Sequence, residues 1–482
     1  MEQDYKQLFV GGDLSGIQKF LYNISSKKAA VSLKGRSYYL QQYMNKVCAE
    51  IESAVKDAGA KSTEVIYNSG GKFYLLTDNS EEILAAIENC SKTLQKDLWK
   101  KHLGQLGICI SSLPFTENPD GTINAEQKDK LQPGYLWKFT NAVFHRQKSQ
   151  KYKNLLIDTY ESFFNPLEVG GQGKVCAVTG IESSECIRLE DDLYVLPSVK
   201  EQIQLGEELR SLQHFKTFEE YAENTNLGIL RMDVDGLGKR FIEGFKSIKE
   251  YKAFSKKLVQ FFEDKIDAIQ KKPQYRDYLN IIYAGGDDLF VIGRWDKVID
   301  FAENVHKEFE TDFAKESITV SGGIVVINPK FPISKAAASA GEAEDAAKQF
   351  REGEKNAISL LGKTISWNDE FKYVKSYQQQ FVSLIENYGL SKSILHKLML
   401  YSSIAEQNKV RKKEGKAEDF SYIWHISYYL TRYVNRYKSN DEVCVFCRNL
   451  RDEELDYKST RRLELIALAA RWAELILKDN NN

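Results

Sequence analysis

The chain has 482 residues, 42% of them hydrophobic and 28% charged, and its 67 basic side chains nearly balance 68 acidic ones. A chain of this length exceeds one ordinary core and predicts about three domains. No apolar run approaches the roughly 20 residues that a membrane span needs, and the N-terminus is not a secretion signal. The charge balance lacks the overall basic excess of a free-standing nucleic-acid binder. Seven scattered cysteines form no disulfide framework, which predicts a reducing cytoplasm.

Three strands are predicted in the N-terminal part of the chain. The segment 9–19 reads FVGGDLSGIQK, the segment 67–76 reads YNSGGKFYLL, and the segment 106–111 reads LGICIS. Apolar runs rich in β-branched and aromatic residues and bounded by glycine are typical of strands and hairpins.

A similar strand is predicted from residue 227 onward. It ends in Asp233 and Asp235, and Gly236 and Gly238 then open a predicted helix. Acidic residues are favoured at a helix N-terminus because they complement the helix dipole, and this explains the position of Asp235. The dipole does not account for the whole set of acids described below.

The segment 285–288, Gly-Gly-Asp-Asp, separates apolar runs at 279–283 and 289–292 and predicts a hairpin. Glycine and aspartate are also favoured in surface turns for backbone reasons alone. Carboxylates at a strand end and on a hairpin tip converge if their strands are neighbours, and they then repel unless a cation lies among them. Mg²⁺ is typically held by one or two carboxylates plus substrate phosphates, so the two acidic segments predict a two-metal nucleotidyl-transfer site. Its predicted metal ligands are Asp233, Asp287 and Asp288.

The chain repeats this arrangement. The segment 9–19 matches 231–239, and 67–76 matches the hairpin with Lys72 and Phe73 in the places of its two aspartates. A third strand follows in each half, at 106–111 and 318–325, and KNLL at 153–156 echoes KNAI at 355–358. Four matches in the same order predict duplicated domains. We expect the first copy to bind a ligand but not to form a complete metal site.

The composition changes from about residue 368. The segments 378–387, 422–430 and 460–476 have the apolar spacing of helices and predict a helical bundle. The exposed face of this bundle is a candidate docking surface for small helical subunits.

The motifs DxDGLGK and YAGGDD, preceded by a degenerate copy with FVGGDLSGIQKF, SLKGRSYYL and SGGKFYLL, resemble those of one family. It is the large polymerase/cyclase subunit of type III CRISPR effector complexes, and the resemblance covers residues 1–368. It implies an α+β fold with two ferredoxin-like palm domains, related to nucleotide cyclases and GGDEF proteins, plus a linker domain and a C-terminal helical bundle. It also implies that ATP binds in both palms and that target RNA triggers synthesis of cyclic oligoadenylate messengers.

The resemblance implies a set of residues around two ATP molecules. The catalytic residues, which would also hold Mg²⁺ or Mn²⁺, are Asp233, Asp287 and Asp288. Glycines without side chains let a nucleotide approach the backbone, and the family supplies a lysine to the triphosphate. The predicted nucleotide contacts are Asp13, Ser69, Gly70, Gly71, Asp235, Gly285, Gly286, Lys348 and Lys355. The stretch 33–37 is predicted either to bind phosphate or RNA or to form an ordinary helix-entry turn.

Two features depart from larger relatives. The six histidines include no His-Asp pair, and the sequence begins near its first palm, so we expect no metal-dependent DNase. Cys176 and Cys186 resemble remnants of a four-cysteine zinc site. Because tetrahedral zinc needs four ligands, we expect no metal there. Cys444 and Cys447 form a CxxC without a visible second pair. Such a motif can bind zinc or act in redox chemistry, but we expect two half-buried helical cysteines.

The predicted domains are a degenerate palm at 1–165, a linker with vestigial zinc-ribbon cysteines at 166–220, a catalytic palm at 221–368 and a helical domain at 369–482. The predicted function is RNA-activated synthesis of cyclic oligoadenylates from ATP. The predicted setting is cytoplasmic, with other type III effector subunits, guide RNA and target RNA as partners. Two alternatives stay open: transfer of AMP from ATP to another acceptor such as S-adenosylmethionine, and a non-catalytic nucleotide-binding scaffold.

Overall fold

The computed structural model describes residues 5–24, 28–158, 160, 173–189, 193–437, 441–455 and 460–480. The chain divides into two compact units. The described parts of Met1–Val320 and Ile327–Gly341 form the first, and those of Ser321–Val326 and Glu342–Asn482 form the second. The predicted domain boundaries stay a prediction, and the first of them, after residue 165, lies outside the described residues. No helix in the described part of the chain is both long and apolar enough to cross a bilayer.

The first palm is built on a six-stranded sheet. Its strands are β1 (Gln7–Ser15), β2 (Thr63–Ser69), β3 (Lys72–Asp78), β4 (Gly107–Glu117), β5 (Ile123–Ala125) and β6 (Lys128–Leu131). Their order across the sheet is β2-β3-β1-β4-β5-β6, and β1 pairs antiparallel with both β3 and β4. The helices of this part are α1 (Ile17–Tyr22), α2 (Ala29–Asp57), α3 (Glu81–His102), α4 (Tyr135–Ser149) and α5 (Lys153–Asp158). Helices after β1 and after β3 give the βαββαβ succession of a ferredoxin-like fold.

Local sequence accounts for these elements. Every residue of β1 between its first and last is buried, as expected for a central strand covered on both faces. At the start of α3 the Ser80 hydroxyl accepts a hydrogen bond from the Ile83 N–H, and two glutamates occupy the first turn. Lys100 and Lys101 occupy its last turn, where their charges complement the helix dipole.

Short strands and one long helix connect the palms. The strands are β7 (Lys174–Val175), β8 (Glu182–Ser183), β9 (Ile187–Arg188) and β10 (Tyr194–Val195), and the helix is α6 (Pro197–Gln213). The stretch 33–37 lies inside α2, so the helix-entry turn predicted as one alternative was wrong. A β-carbon at Gly35 would lie 1.9 Å from the Gln202 carbonyl oxygen, so glycine lets α2 and α6 pack closely.

The second copy begins in the same unit. Its elements are α7 (Phe218–Ala222), β11 (Leu227–Asp235), α8 (Leu237–Glu243), α9 (Ile248–Val259), a π-helical turn (Gln260–Lys265), α10 (Ile266–Gln270), α11 (Pro273–Arg276), β12 (Leu279–Gly285), β13 (Asp288–Arg294) and α12 (Trp295–Asp312). Strand β13 pairs antiparallel with both β11 and β12. The first three strands have the same lengths in both copies, nine, seven and seven residues. The predicted duplication is therefore visible in the backbone.

The remaining elements lead into the helical C-terminus. They are β14 (Thr319–Ile327), α13 (Ile333–Lys348), a 3-10 turn (Phe350–Gly353), β15 (Ala357–Leu360), β16 (Lys363–Ser366), a π-helical turn (Trp367–Phe371), α14 (Lys372–Tyr388), α15 (Ser393–Lys413), α16 (Ser421–Arg436), α17 (Asp441–Asn449), a second π-helical turn (Leu450–Glu454) and α18 (Thr460–Asp479). Within the second unit, β15 pairs parallel with β14 and antiparallel with β16. Helix α18 is almost continuously buried from Leu463 to Ala470. The predicted α+β fold with a helical C-terminus is confirmed.

Candidate active site

Three carboxylates meet where β11 runs beside the β12–β13 turn. Asp233 in β11 lies directly opposite Asp288, the first residue of β13, and Asp287 occupies the turn before it. Opposed residues of antiparallel strands have Cβ atoms about 5 Å apart on the same face of the sheet. One carboxylate oxygen from each aspartate lies within 4.8 Å of the others. The structure thus brings together the three side chains that the sequence predicted as metal ligands.

This donor set fits a divalent cation. Three half-buried carboxylates at such distances repel one another, and hard cations such as Mg²⁺ and Mn²⁺ favour carboxylate oxygens. Burial first, and then the charges of Asp287 and Asp288, raise the pKa of Tyr67 and of Tyr283 well above the usual range. Both phenols therefore stay protonated beside the cluster. The role of the three aspartates as metal ligands stays a prediction.

The turns of the two palms pack against each other through glycine. Gly70 has φ +62° and Gly286 has φ +70°, a left-handed conformation that glycine adopts without strain. A β-carbon at Gly70 would lie 2.8 Å from the Gly286 Cα, and one at Gly286 would lie 3.0 Å from the Gly70 Cα. The close approach thus requires glycine on both sides, and the first palm directly supports the turn that carries the acidic pair.

Ser69 links the same two turns through its hydroxyl. The Ser69 Oγ accepts a hydrogen bond from the Gly286 N–H at 2.9 Å and donates one to Glu263 Oε1 at 2.7 Å. Glu263 lies in the π-helical turn after α9. We call Ser69, Glu263 and Gly286 the serine clasp. It fixes the backbone amide immediately before Asp287.

The first palm carries a different set of side chains at the equivalent place. In strand register Asp13 lies opposite Lys72, just as its counterpart in the second palm lies opposite Asp288. Lys72 therefore takes the place of Asp288, and the residue before it takes the place of Asp287. The sequence comparison had matched Lys72 and Phe73 with the two aspartates, and this was wrong by one residue. Strand pairing fixes the equivalence, whereas the sequence comparison had aligned the paired glycines.

A cavity of about 350 Å³ lies beside the two turns. Its walls come from α2, the end of α6, the β2–β3 turn, the π-helical turn after α9, α10 and β12, and they include Ser69, Gly70, Gly71 and Gly285. These four residues were predicted to contact nucleotide, and the volume is in the range of small-molecule pockets. Their contact with a nucleotide stays a prediction.

Charged side chains of both signs line this cavity, namely Lys34, Glu263 and Asp267. The Lys34 ammonium donates a hydrogen bond to the Ile281 carbonyl oxygen at 2.5 Å. Burial lowers the pKa of Lys34 to about 8, against the opposing charge of Asp267. Burial also raises the pKa of Glu263, while its hydrogen bond from Ser69 acts in the opposite direction. The cavity is thus lined by a lysine whose pKa is lowered and a glutamate whose pKa is raised.

Four other predicted nucleotide contacts have different surroundings. Buried Asp13 forms an ion pair with Lys148, whose Nζ is 2.6 Å from Asp13 Oδ2. The Thr319 hydroxyl donates to Asp235 Oδ2 at 2.8 Å. In the second unit, Lys348 forms an ion pair of 2.6 Å with a glutamate one helical turn earlier, and Lys355 has a left-handed backbone with φ +60°. The nucleotide contacts predicted for these residues stay predictions.

Sequence reasoning missed Glu263 and Lys148 and left the role of Lys34 open. Each is one charged residue on a helix, and such residues are usually solvated, so their spacing gave no signal. The partners that give them significance, Ser69 and Asp13, lie far away in sequence. Aligning the two copies would have shown a lysine near the end of α4 and another at the end of α13.

Two family descriptions match separate segments of the chain. The description "Cas10/Cmr2, second palm domain" matches residues 226–359, and "Csm1 subunit domain B" matches residues 6–166. Over these two segments the chain is similar to the Cas10/Csm1 family. The predicted resemblance is confirmed by relatives described as CRISPR system single-strand-specific deoxyribonuclease Cas10/Csm1 (subtype III-A). The relative from Enterococcus italicus is 29% identical over 75% of this chain, and that from Mycobacterium tuberculosis is 26% identical over 74%.

The chain spans 54% of the length of each of these two Cas10/Csm1 relatives. Their name specifies a deoxyribonuclease, and the expectation that this chain has no such activity stays a prediction. Solved structures share the fold. A Csm1-Csm4 cassette in complex with pppApA has a TM-score of 0.69 at 18% identity and covers 98% of this chain and 70% of its own. A Csm1-Csm4 cassette in complex with cA4 has a TM-score of 0.64 at 19% identity and covers 97% and 70%.

Proposed function

We propose that this Cas10/Csm1-family chain is the ATP-using nucleotidyltransferase of a type III-A CRISPR effector complex and makes cyclic oligoadenylates. The observation that carries the proposal is the convergence of Asp233, Asp287 and Asp288 at the β12–β13 turn. The fold is shared with Csm1-Csm4 cassettes described in complex with one ATP, with pppApA and with cA4. Those ligands correspond to a substrate, a linear intermediate and a cyclic product of the proposed reaction.

In this reaction the 3′-oxygen of one adenylate attacks the α-phosphorus of a second ATP. A new oxygen–phosphorus bond forms, the bond from the α-phosphorus to the bridging oxygen breaks, pyrophosphate leaves and the hydroxyl proton passes to solvent. Divalent cations held by Asp233, Asp287 and Asp288 would neutralise charge on the phosphates and the attacking oxygen. A final attack within the chain closes the ring.

The protein's contribution is mainly positioning. The serine clasp and the glycine contact hold the acidic turn in place, and Tyr67 and Tyr283 stay protonated as neutral neighbours of the cluster. The cavity beside the two turns is large enough to orient a nucleotide base or sugar. Orientation of two reactants accounts for a large part of the rate of such reactions, so no dedicated general base is required.

The proposed partners follow from the related assemblies. One structure of similar fold is described as a Csm1-Csm4 subcomplex in the type III-A CRISPR-Csm interference complex. We therefore expect a Csm4-like subunit, a guide RNA and a target RNA as partners in the cytoplasm. Activation by target RNA is part of the proposal.

The scaffold alternative explains the acidic cluster less well. Three carboxylates within 4.8 Å of one another destabilise a fold that does not use them. A subunit that only bound neighbours would gain nothing from this arrangement. AMP transfer to S-adenosylmethionine would use the same cluster with a different acceptor.

Mass spectrometry of products tests these possibilities. The complex assembled with guide and target RNA is incubated with ATP and Mg²⁺ or Mn²⁺, with and without S-adenosylmethionine, and compared with Asp287→Asn/Asp288→Asn. We expect adenylate rings that disappear in the double variant. An AMP adduct of S-adenosylmethionine would identify the alternative transferase. No product that depends on the two aspartates would refute the enzyme proposal and leave the scaffold.

A further inference from the structure

The two palms correspond residue by residue at their acidic strand ends. Strands β1 and β11 are both nine residues long, and each is followed by a left-handed glycine, Gly16 with φ +93° and Gly236 with φ +72°. Asp13 and Asp233 each stand three positions before that glycine. The two aspartates are therefore equivalent.

The turn beside Asp13 lacks both acids of the second palm. The Leu14 N–H donates to the Gly71 carbonyl oxygen at 2.9 Å, and the Val234 N–H donates to the Asp287 carbonyl oxygen at 3.2 Å. Gly71 is thus the counterpart of Asp287. The next residue is a lysine in the first palm and an aspartate in the second, and each lies opposite the strand-end aspartate.

A helix supplies a second lysine to this place. Lys148, the next-to-last residue of α4, has its Nζ 2.6 Å from Asp13 Oδ2. The Asp13 side chain is 7% exposed and the Lys148 side chain is 38% exposed. Because an ammonium has three N–H donors, Lys148 can hold the buried carboxylate and still present donors to a ligand on its exposed side.

These side chains do not fit a divalent cation. A glycine and a lysine stand where the second palm has two carboxylates, so Asp13 is the one acid left among the three equivalent positions. The ammonium groups of Lys72 and Lys148 would repel a metal ion. The same two groups attract phosphate oxygens, with which lysine forms charge-assisted hydrogen bonds.

We propose, building on the proposed function, that the first palm holds the triphosphate of one ATP without a divalent cation, with Lys72 and Lys148 in the place of the metal. Asp13 is then a positioning residue that fixes Lys148. The two nucleotides of the reaction are thereby bound by different chemistry. Binding of the nucleotide beside Asp233 depends on a metal ion, whereas the nucleotide in the first palm binds in the absence of metal.

Equilibrium dialysis with α,β-methylene-ATP, which cannot transfer its adenylate, tests this difference in the assembled complex. We expect two bound equivalents per chain in Mg²⁺ and one in EDTA. The equivalent that remains in EDTA persists in Asp287→Asn/Asp288→Asn. It weakens by about tenfold or more in Lys72→Met, because a charge-assisted hydrogen bond contributes about 1.5–3 kcal/mol.

Lys148 requires a paired variant because its removal alone leaves the buried Asp13 carboxylate without this partner. Lys148→Met/Asp13→Asn keeps the side-chain volumes and removes both charges, and we expect it also to lose the EDTA-resistant nucleotide. Loss of all nucleotide in EDTA by the wild type overturns the proposal, as does the absence of any effect of Lys72→Met and of the paired variant. These binding results do not depend on product formation, so they are distinguishable from failure of the proposed function.

Electron paramagnetic resonance of Mn²⁺ gives an independent readout. In the Asp287→Asn/Asp288→Asn background without nucleotide, we expect no Mn²⁺ bound at the first palm. Adding Lys72→Asp and Lys148→Met places a second carboxylate opposite Asp13 and removes both ammonium groups, so one bound Mn²⁺ should appear. Mn²⁺ bound at the unaltered first palm and lost with Asp13→Asn would contradict the proposal.

Discussion

Replacing Gly70 by alanine tests the contact between the two palms. A β-carbon at Gly70 would lie 2.8 Å from the Gly286 Cα, whereas carbon atoms normally approach to about 3.5–4.0 Å, so the turns must separate by about 1 Å. A misplacement of this size costs on the order of 10²-fold in rate when it moves a catalytic group. Asp287 follows Gly286 directly, so we expect the rate of oligoadenylate synthesis to fall by about that factor.

Gly415→Ala is the matched control for this substitution. Gly415 has φ +68°, close to the φ +62° of Gly70, and apart from its own chain neighbours no atom of the described residues lies within 4 Å of the β-carbon position. Both variants carry the left-handed strain of about 1–2 kcal/mol, and both should lower the thermal unfolding midpoint. The assay is the rate of pyrophosphate release by the target-RNA-bound complex. A Gly70→Ala rate within about twofold of the control would refute the argument that the contact positions the acidic turn.

Three further predictions concern single side chains. Ser69→Ala leaves the Gly286 N–H without its acceptor, so Mn²⁺ affinity measured by electron paramagnetic resonance should fall about 10- to 100-fold. Ser69→Thr is the control that keeps a hydroxyl. Unchanged affinity in Ser69→Ala would contradict the role of the serine clasp. Asp288→Asn should abolish Mn²⁺ binding at the second palm without lowering the unfolding midpoint, because it relieves carboxylate repulsion; a lower midpoint would argue against that repulsion. Burial lowers the pKa of Lys34 from the ordinary 10.5 to about 8, so the unfolded chain binds more protons between these values and the stability contributed by Lys34 rises with pH across that window. Lys34→Met should therefore raise the unfolding midpoint at pH 7 and raise it less at pH 9.5, and an equal shift at both values would exclude the burial argument.

The sequence was sufficient for the elements that carry periodic or motif signals. The hairpin at 285–288 and the strand ending at Asp233 and Asp235 lie where they were predicted, because alternating apolar runs and paired glycines are local signals. The helices predicted at 378–387 and 422–430 fall within α14 and α16. Their apolar stripes are likewise local.

Contacts between distant segments could not be predicted from such local signals. The equivalence of Lys72 with Asp288 depends on which residues pair across β1 and β3, and a shift of one residue is invisible when glycines are used as the guide. The partners of Ser69 lie about two hundred positions away. The interior position of Gly35 in α2 depends on α6 packing against it. In each case tertiary packing decides the outcome.

The central claim is that Asp233, Asp287 and Asp288 support transfer of adenylate from ATP. The most direct test is the release of pyrophosphate and the formation of linked adenylates by the complex with guide and target RNA, in the wild type and in Asp287→Asn/Asp288→Asn at equal subunit content. The account predicts that the wild type releases one pyrophosphate for each bond formed between adenylates, and that both products are lost in the variant. Linked adenylates formed at the wild-type rate by the variant would contradict it.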